Sequence, residues 1–409
     1  MMARSHQRQG RGALAALIVA FGCAAAATVM AQDFPRDAPK APKANPVPAP
    51  QLAPPPPRRP AHPGAVVIAQ LNGIRLVSGA AGFSAKGVQG SGVVSDVPFA
   101  AGVVPALRTF LGKPLTQRDL ARLEGQIVAF YRAGHHPFVA VVTPQQDVTS
   151  GVLQIVVAEY KVGKISVRNN RWFSSAEIRA GVRARSGDTI DSARLDDDLA
   201  WLNRNPFRTV DLVATPGSAP ATTDLDLVVH DHFPGSVYAA YANDGSPATG
   251  LDRWKFGALW GDVLGTGAQF GYQFTASSDL FTGRAGRPGG FDGASFLANA
   301  LDLNVPLPWR HSLEIFGTFE QDRPDIGPDL AGRGDSAQAS LRYVIPLPPL
   351  PRLTQQLSLG YDFKTTNNNL DFGGTLVSAN RTEIDQFPIT YQASLRDSTG
   401  LTTFTDSLV

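Results

Sequence analysis

At 409 residues the chain is too long for one ordinary domain and long enough for two or three. Its 37 basic residues nearly balance 35 acidic ones, and charged residues make up only 18% of the total, which argues against the basic surface of a dedicated nucleic-acid binder. Cys23 is the one cysteine, so neither a disulfide framework nor a cysteine metal site is available.

Residues 1–31 read as a secretory signal: Arg4, Arg8 and Arg11, then an apolar run from Ala13 to Thr28, then small residues around Val29-Met30-Ala31. That run is short of the ~20 residues a spanning helix needs. Residues 32–64 form a Pro-rich linker. Proline fixes φ and donates no backbone hydrogen bond, so this stretch reads as an extended polyproline II spacer.

Residues 65–158 read as a first α+β module. Gly73–Val77 is a strand, residues 101–111 are helical with an interruption near Pro105, and Thr116 caps a helix running to Ala133. Leu120, Leu123, Ile127, Phe130 and Tyr131 share one helical face, and Gly134 ends the helix. Strands follow at Phe138–Thr143 and Val152–Ala158. Residues 159–232 repeat the order: a strand at Lys164–Arg168, a helix capped at Ser174 or Ser175 with Ile178 and Val182, and a helix capped by Asp191 with Leu195, Leu199 and Leu202. Strands at Thr209–Thr215 and Thr223–His230 close the unit. A β-α-α-β-β unit occurring twice in tandem is an internal repeat of architecture.

Several phrases resemble the POTRA modules of two-partner-secretion transporters. In the first unit they are Gly112-Lys113-Pro114-Leu115-Thr116, the turn Tyr131…Gly134…Pro137, and Gln145…Gly151-Val152-Leu153…Glu159. In the second they are Asn169-Asn170-Arg171-Trp172-Phe173, Leu202-Asn203-Arg204-Asn205-Pro206-Phe207-Arg208, and Pro216-Gly217…Thr223-Asp224-Leu225. The link Ser218–Ala221 departs from the glycine-containing connection usual there.

From Gly235 the period becomes two. Phe256, Ala258 and Trp260 alternate with Lys255, Gly257 and Leu259; Phe270, Tyr272 and Phe274 alternate with Gln269, Gly271 and Gln273. The same holds around Leu313, Ile315 and Phe319, and around Leu357, Leu359, Tyr361 and Phe363. Repeated short segments of this kind, apolar on one face and polar on the other, indicate an antiparallel transmembrane β-barrel over 235–409. A soluble sandwich would show the same alternation; the signal and the modules favour the barrel. Tyr241-Ala242-Asn243-Asp244-Gly245…Thr249-Gly250…Arg253 resembles the first barrel hairpin of the same family. About eight strands are counted where the resemblance implies sixteen. The sequence stops at Val409 without the family's inward-folded loop bearing a Val-Arg-Gly-aromatic motif, so a partial chain is expected. An eight-stranded barrel is filled by its own side chains and passes no polypeptide.

No catalytic constellation emerges, and no cofactor is expected. His135-His136 reads as a solvated turn rather than a metal site, and His230-Asp231-His232 lacks a third ligand. Asp196-Asp197-Asp198 reads as a solvated acidic face favouring a helix dipole. The glycines of 283–290 precede no helix and read as a loop.

The resemblance implies an outer-membrane transporter, not an enzyme, that secretes a large unfolded partner exoprotein of haemolysin or adhesin type, with its modules in the periplasm. Besides that exoprotein the expected partner is outer-membrane lipid, with no nucleic acid. β-Augmentation on an exposed strand edge is the physics open to the modules; the candidate residues are Phe138, Val139, Val141, Ile165 and Val167. A barrel-assembly factor of the same superfamily and a truncated product that only binds the partner remain as alternatives.

Overall fold

The computed structural model describes residues 62–79, 82–283, 289–327, 329–348, 350, 352–398 and 400–409. The signal, nearly all of the Pro-rich linker and most of the 283–290 loop lie outside the described residues.

The first module is built on a four-stranded sheet. Its strands are β2 (Gly73–Ser78), β3 (Gly92–Ser95), β5 (Val139–Val142) and β6 (Val152–Glu159), in the order β3-β2-β6-β5. β2 runs parallel to both β3 and β6, and β5 runs antiparallel to β6. Two short strands, β1 (Val66–Ile68) and β4 (Leu115–Thr116), pair separately. β1, β3 and β4 are additions to the expected pattern. Each has four residues or fewer, too few for alternation to register.

The expected interrupted helix is three short pieces, Phe99–Val103, Val104–Leu107 and Arg108–Phe110, with Pro105 in the first turn of the middle one. Helix α1 (Gln117–Ala133) begins at a full capping box. Thr116 Oγ1 accepts from the Asp119 amide at 3.2 Å, and the Asp119 carboxylate accepts from the Thr116 amide at 3.3 Å. Gly134 closes the helix. Its buried face, Leu123, Ile127 and Tyr131, packs into one core with Ile74, Leu76, Leu153, Ile155 and Val157 from the sheet.

The second module holds β7 (Lys161–Arg168), β8 (Arg208–Pro216) and β9 (Thr222–Asp231) in the order β7-β9-β8. Two helices cover the sheet: α2 (Ser175–Ala180), capped by Ser174, and α3 (Ser192–Leu202), capped by Asp191. Val182 lies beyond Gly181, which ends α2, yet its side chain still joins the core. The alternation of β9 is realised as expected, with Leu225, Leu227 and Val229 buried.

The remaining chain forms one antiparallel sheet of ten strands. They are β10 (Gly235–Ala242), β11 (Arg253–Val263), β12 (Ala268–Ser277), β13 (Phe296–Pro306) and β14 (Ser312–Asp322). After these come β15 (Leu330–Pro346), β16 (Leu353–Phe372), β17 (Thr375–Gln386), β18 (Ile389–Arg396) and β19 (Leu401–Leu408). The expected count of about eight is corrected to ten. β17 and β18 both pair with β16, on its C-terminal and N-terminal halves, and a break at Phe387-Pro388 separates them. Ten strands therefore occupy nine positions across the sheet. Among the described residues the sheet is an open path with β10 and β19 at its ends.

Register places Leu303, Ile315, Leu341 and Tyr361 in one cross-strand row, and Asp302, Phe316, Ser340 and Asp362 in the adjacent row facing the other way. Leu341 is 43% exposed and Ser340 beside it 7%. One face of the sheet is thus an apolar exterior and the other a largely polar, enclosed one. This is the reverse of a soluble sandwich, whose apolar faces are covered.

Candidate functional site

Both strands named from the sequence as partner-binding edges are edges. β5 ends the first sheet and β7 ends the second. On β5 the free groups can be assigned. The Tyr160 amide donates to the Phe138 carbonyl at 3.0 Å, so Phe138 faces Tyr160 in a hydrogen-bonded pair. Antiparallel pairs alternate. Ala140 and Val142 then point their backbone groups at β6, while Val139 and Val141 point theirs at the open side. The side chains of Val139 and Val141 lie against the first core, those of Ile165 and Val167 against the second. These residues thus offer backbone groups rather than side chains. On β7 a register shift between Val162 and Ile165 interrupts the ladder; there the Lys164 amide donates to Asp224 Oδ1 at 2.7 Å. A cavity of about 590 Å³ lies beside this bulge, lined among others by Lys161, Gly163, Ile165, Arg179 and Asp224.

Phe138 is different: its side chain packs against the core of the second module, across the seam between the two. At the same seam the Ser192 amide donates to the His135 carbonyl at 2.9 Å, satisfying a donor that the first turn of α3 would leave unpaired. His136 is half-buried, with its ring 4.3 Å from Phe99 and Nδ1 3.8 Å from Glu159. His135 is thus exposed in a turn, as expected, but its carbonyl and the half-buried His136 make the segment a joint. Burial pushes the Tyr131 hydroxyl well above its ordinary range, reinforced by the Glu159 carboxylate that accepts its hydrogen bond.

A second joint ties the second module to the sheet. Asp198 is wholly buried and accepts from Arg183 Nε at 2.6 Å and from Arg310, in the β13–β14 turn, at 2.5 Å. Arg310 also donates to the Gly181 carbonyl at 2.6 Å and lies over the Trp201 ring. Asp196 and Asp197 are exposed as expected; for Asp198 this corrects the reading of a solvated acidic face. Periodicity within α3 cannot reveal it, because the burying turn lies over a hundred residues away. Nearby, Asn205 Nδ2 donates to the Gly261 carbonyl at 2.5 Å, and a Cβ at Gly261 would overlap the Phe207 ring. Glu177 and Arg208 form an ion pair there; burial pushes the Glu177 carboxyl up, and Arg208 pulls the other way.

His230-Asp231-His232 is not a ligand set. Asp231 accepts from the amides of Arg171, Trp172 and Phe173 at 2.7–3.1 Å, and His232 stacks on Phe207. Burial opposes the charge of Asp231, but these backbone donors outweigh it and hold the carboxyl below its ordinary range. No group of three or more potential metal ligands occurs among the described residues.

Residues 86–159 match the family model of the ShlB-type POTRA domain. The heme/hemopexin transporter protein HuxB of Haemophilus influenzae is 24% identical over 166 residues, 39% of this chain and 29% of that protein. The outer membrane transporter CdiB of Dickeya dadantii is 25% identical over 126 residues, 31% of this chain and 22% of that protein. The alignments thus span less than a third of either relative's length. Among solved structures, CdiB from Escherichia coli superposes with a TM-score of 0.65 at 14% identity, covering 86% of this chain and 61% of that one. CdiB from Acinetobacter baumannii gives 0.54 at 15%, covering 88% and 67%. The chain is thus similar to these transporters: residues 86–159 match an ShlB-type POTRA domain, and the chain as a whole shares the fold of CdiB. The relatives named here are transporters rather than enzymes.

Proposed function

We propose that this chain serves in the outer membrane as the transporter of a two-partner secretion system, exporting a large unfolded exoprotein of haemolysin or adhesin type, with its two modules in the periplasm. One observation carries the reading: two modules with open strand edges are fixed by buried polar contacts to a sheet that is apolar outside and polar inside. An apolar exterior suits lipid, and a polar interior suits a solvated path. The relatives' names as transporters support the same conclusion. Capture would be β-augmentation, with the partner's extended segment bonding to the outward backbone groups of Val139 and Val141 on β5, and of the Ile165–Val167 stretch on β7. Phe138 then serves by holding the two modules in one orientation.

The test is export of the cognate exoprotein by cells carrying Val141→Pro. Proline there removes an amide that faces the open side and leaves the β5–β6 ladder intact. Exoprotein in the medium should fall roughly five- to tenfold, the order expected for a lost backbone hydrogen bond plus a steric block, while the variant still reaches the outer membrane. Undiminished export would show that β5 does not receive the partner.

A further inference from the structure

The second module carries a cationic cavity that neither the edge strands nor the joint explains. It measures about 780 Å³, and its lining includes Arg179, Arg183, Arg185 and Arg194 around Ala180 and Val182. Asp188 is the one acid in that lining, and it already accepts from the Arg185 amide at 2.8 Å. Arg183 is held by Asp198, with Asp197 3.7 Å away. Arg179 spends its donors on the carbonyls of Val182 and Ala184, so its charge meets no carboxylate. The guanidinium groups of Arg185 and Arg194 have no hydrogen bond or ion pair among the described residues. Arginines concentrated this way, around a cavity whose one acid is already engaged, call for an anion with several oxygens, which the planar fork matches.

Position identifies the source of that anion. Arg183 shares Asp198 with Arg310, and the residue before Arg310 is Trp309. Trp309 is exposed, and its indole Nε1 donates to the Tyr343 hydroxyl on the apolar face of the sheet at 2.8 Å. On another part of the module-side rim, Trp172, Phe233 and Trp260 form a chain of edge-on aromatic contacts from the module to β11. Exposed Trp and Tyr at the limit of an apolar band mark the headgroup level of a bilayer. The cavity therefore sits one ion-pair chain away from that level.

We propose that this cavity binds the phosphate of an anionic phospholipid headgroup in the leaflet facing the modules, anchoring the second module to the membrane. The inference rests on the membrane reading above but not on export. Phosphate oxygens would meet Arg185 and Arg194 first and Arg179 deeper in. A zwitterionic lipid, whose ammonium would face the same arginines, would be disfavoured.

The test uses the full chain, inserted in phosphatidylcholine vesicles and then extracted in detergent. Bound lipid is counted by native mass spectrometry after titration with equal amounts of phosphatidylglycerol and phosphatidylcholine. The wild type should retain phosphatidylglycerol preferentially. Arg185→Gln and Arg194→Gln should each lower that preference, roughly fivefold per arginine, and the Lys replacements should largely keep it. Equal retention of the two lipids by the wild type, or an unchanged preference in the double Gln variant, overturns the proposal. So does displacement of the lipid by millimolar inorganic phosphate, which would make this a free-phosphate site, or by a glutamate-rich peptide, which would make it a polypeptide site. Failure of the chain to insert at all would refute the membrane reading instead, so the two failures are distinguishable.

Discussion

Three aspartates follow one another on α3, and only the third is buried. Asp198 is tied on one side to Arg183 of its own module and on the other to Arg310 of the sheet. Removing a buried charge that two guanidinium groups share leaves those groups facing each other in a confined space. Asp198→Asn keeps the shape and deletes the charge. It should destabilise the joint by about 2–3 kcal/mol, below the range for a fully buried pair because both arginines are partly exposed. Amide exchange across residues 177–202 should accelerate in the variant, while exchange in α1 stays unchanged. Equal protection throughout would mean that the joint is held by its other contacts, Asn205 and Phe207 against Gly261 and Arg310 against Gly181 and Trp201. At this scale legibility followed locality. The Thr116 cap could be read because its partner, Asp119, is three residues away and a capping box has a sequence signature. Asp198 could not, because its burial depends on the β13–β14 turn, and a local window sees only an acidic run.

At the scale of the element, the sheet divides its residues by parity. Leu341 and Ser340 are neighbours on β15, aligned with Ile315 and Phe316 on β14 and with Tyr361 and Asp362 on β16. If the apolar face is in lipid, Leu341→Arg should impair insertion into vesicles by roughly 2–4 kcal/mol, whereas Ser340→Arg, on the polar face, should cost far less. Heat-modifiable migration on a gel reads the folded fraction of each. Equal effects would contradict the assignment of faces.

Parity also explains which strands the sequence displayed. β11, β12, β14 and the first half of β16 carry large apolar residues at every second position and were visible. β17 and β19 are exposed along their length and mostly polar on both faces, so they offer no period to detect. β17 is made a strand by its partner. Gly373 and Gly374, both with positive φ, form the tight two-residue turn that folds it back on β16. The two open edges differ in legibility: β7 opens its module in the sequence, whereas β5 is followed by β6 and becomes an edge only because β6 also pairs with β2.

On the scale of the whole molecule, three units are joined by two polar seams. The first links the modules through Phe138, His135 and Ser192; the second links the inner module to the sheet through Asp198, Arg310 and Asn205. Export through such a molecule requires that the modules lie on one side of a membrane and the β16–β17 hairpin on the other. β16 is 20 residues long, about twice what a tilted spanning strand needs, so its far half should stand clear of the bilayer. The order of two modules and a two-faced sheet was legible because each has its own period. The seams were not, because each joins residues that are far apart in sequence.

The measurement that tests this arrangement most directly uses the scarcity of cysteine, since Cys23 lies in the expected signal. Cysteine is placed singly at Ser218, in the β8–β9 turn of the second module, or at Thr375, beside the β16–β17 turn, and cells are treated with a membrane-impermeant maleimide. Thr375→Cys should label in intact cells, and Ser218→Cys only after the outer membrane is permeabilised. Equal labelling of both in intact cells would place them on one side, and the sheet would then not span the membrane between them.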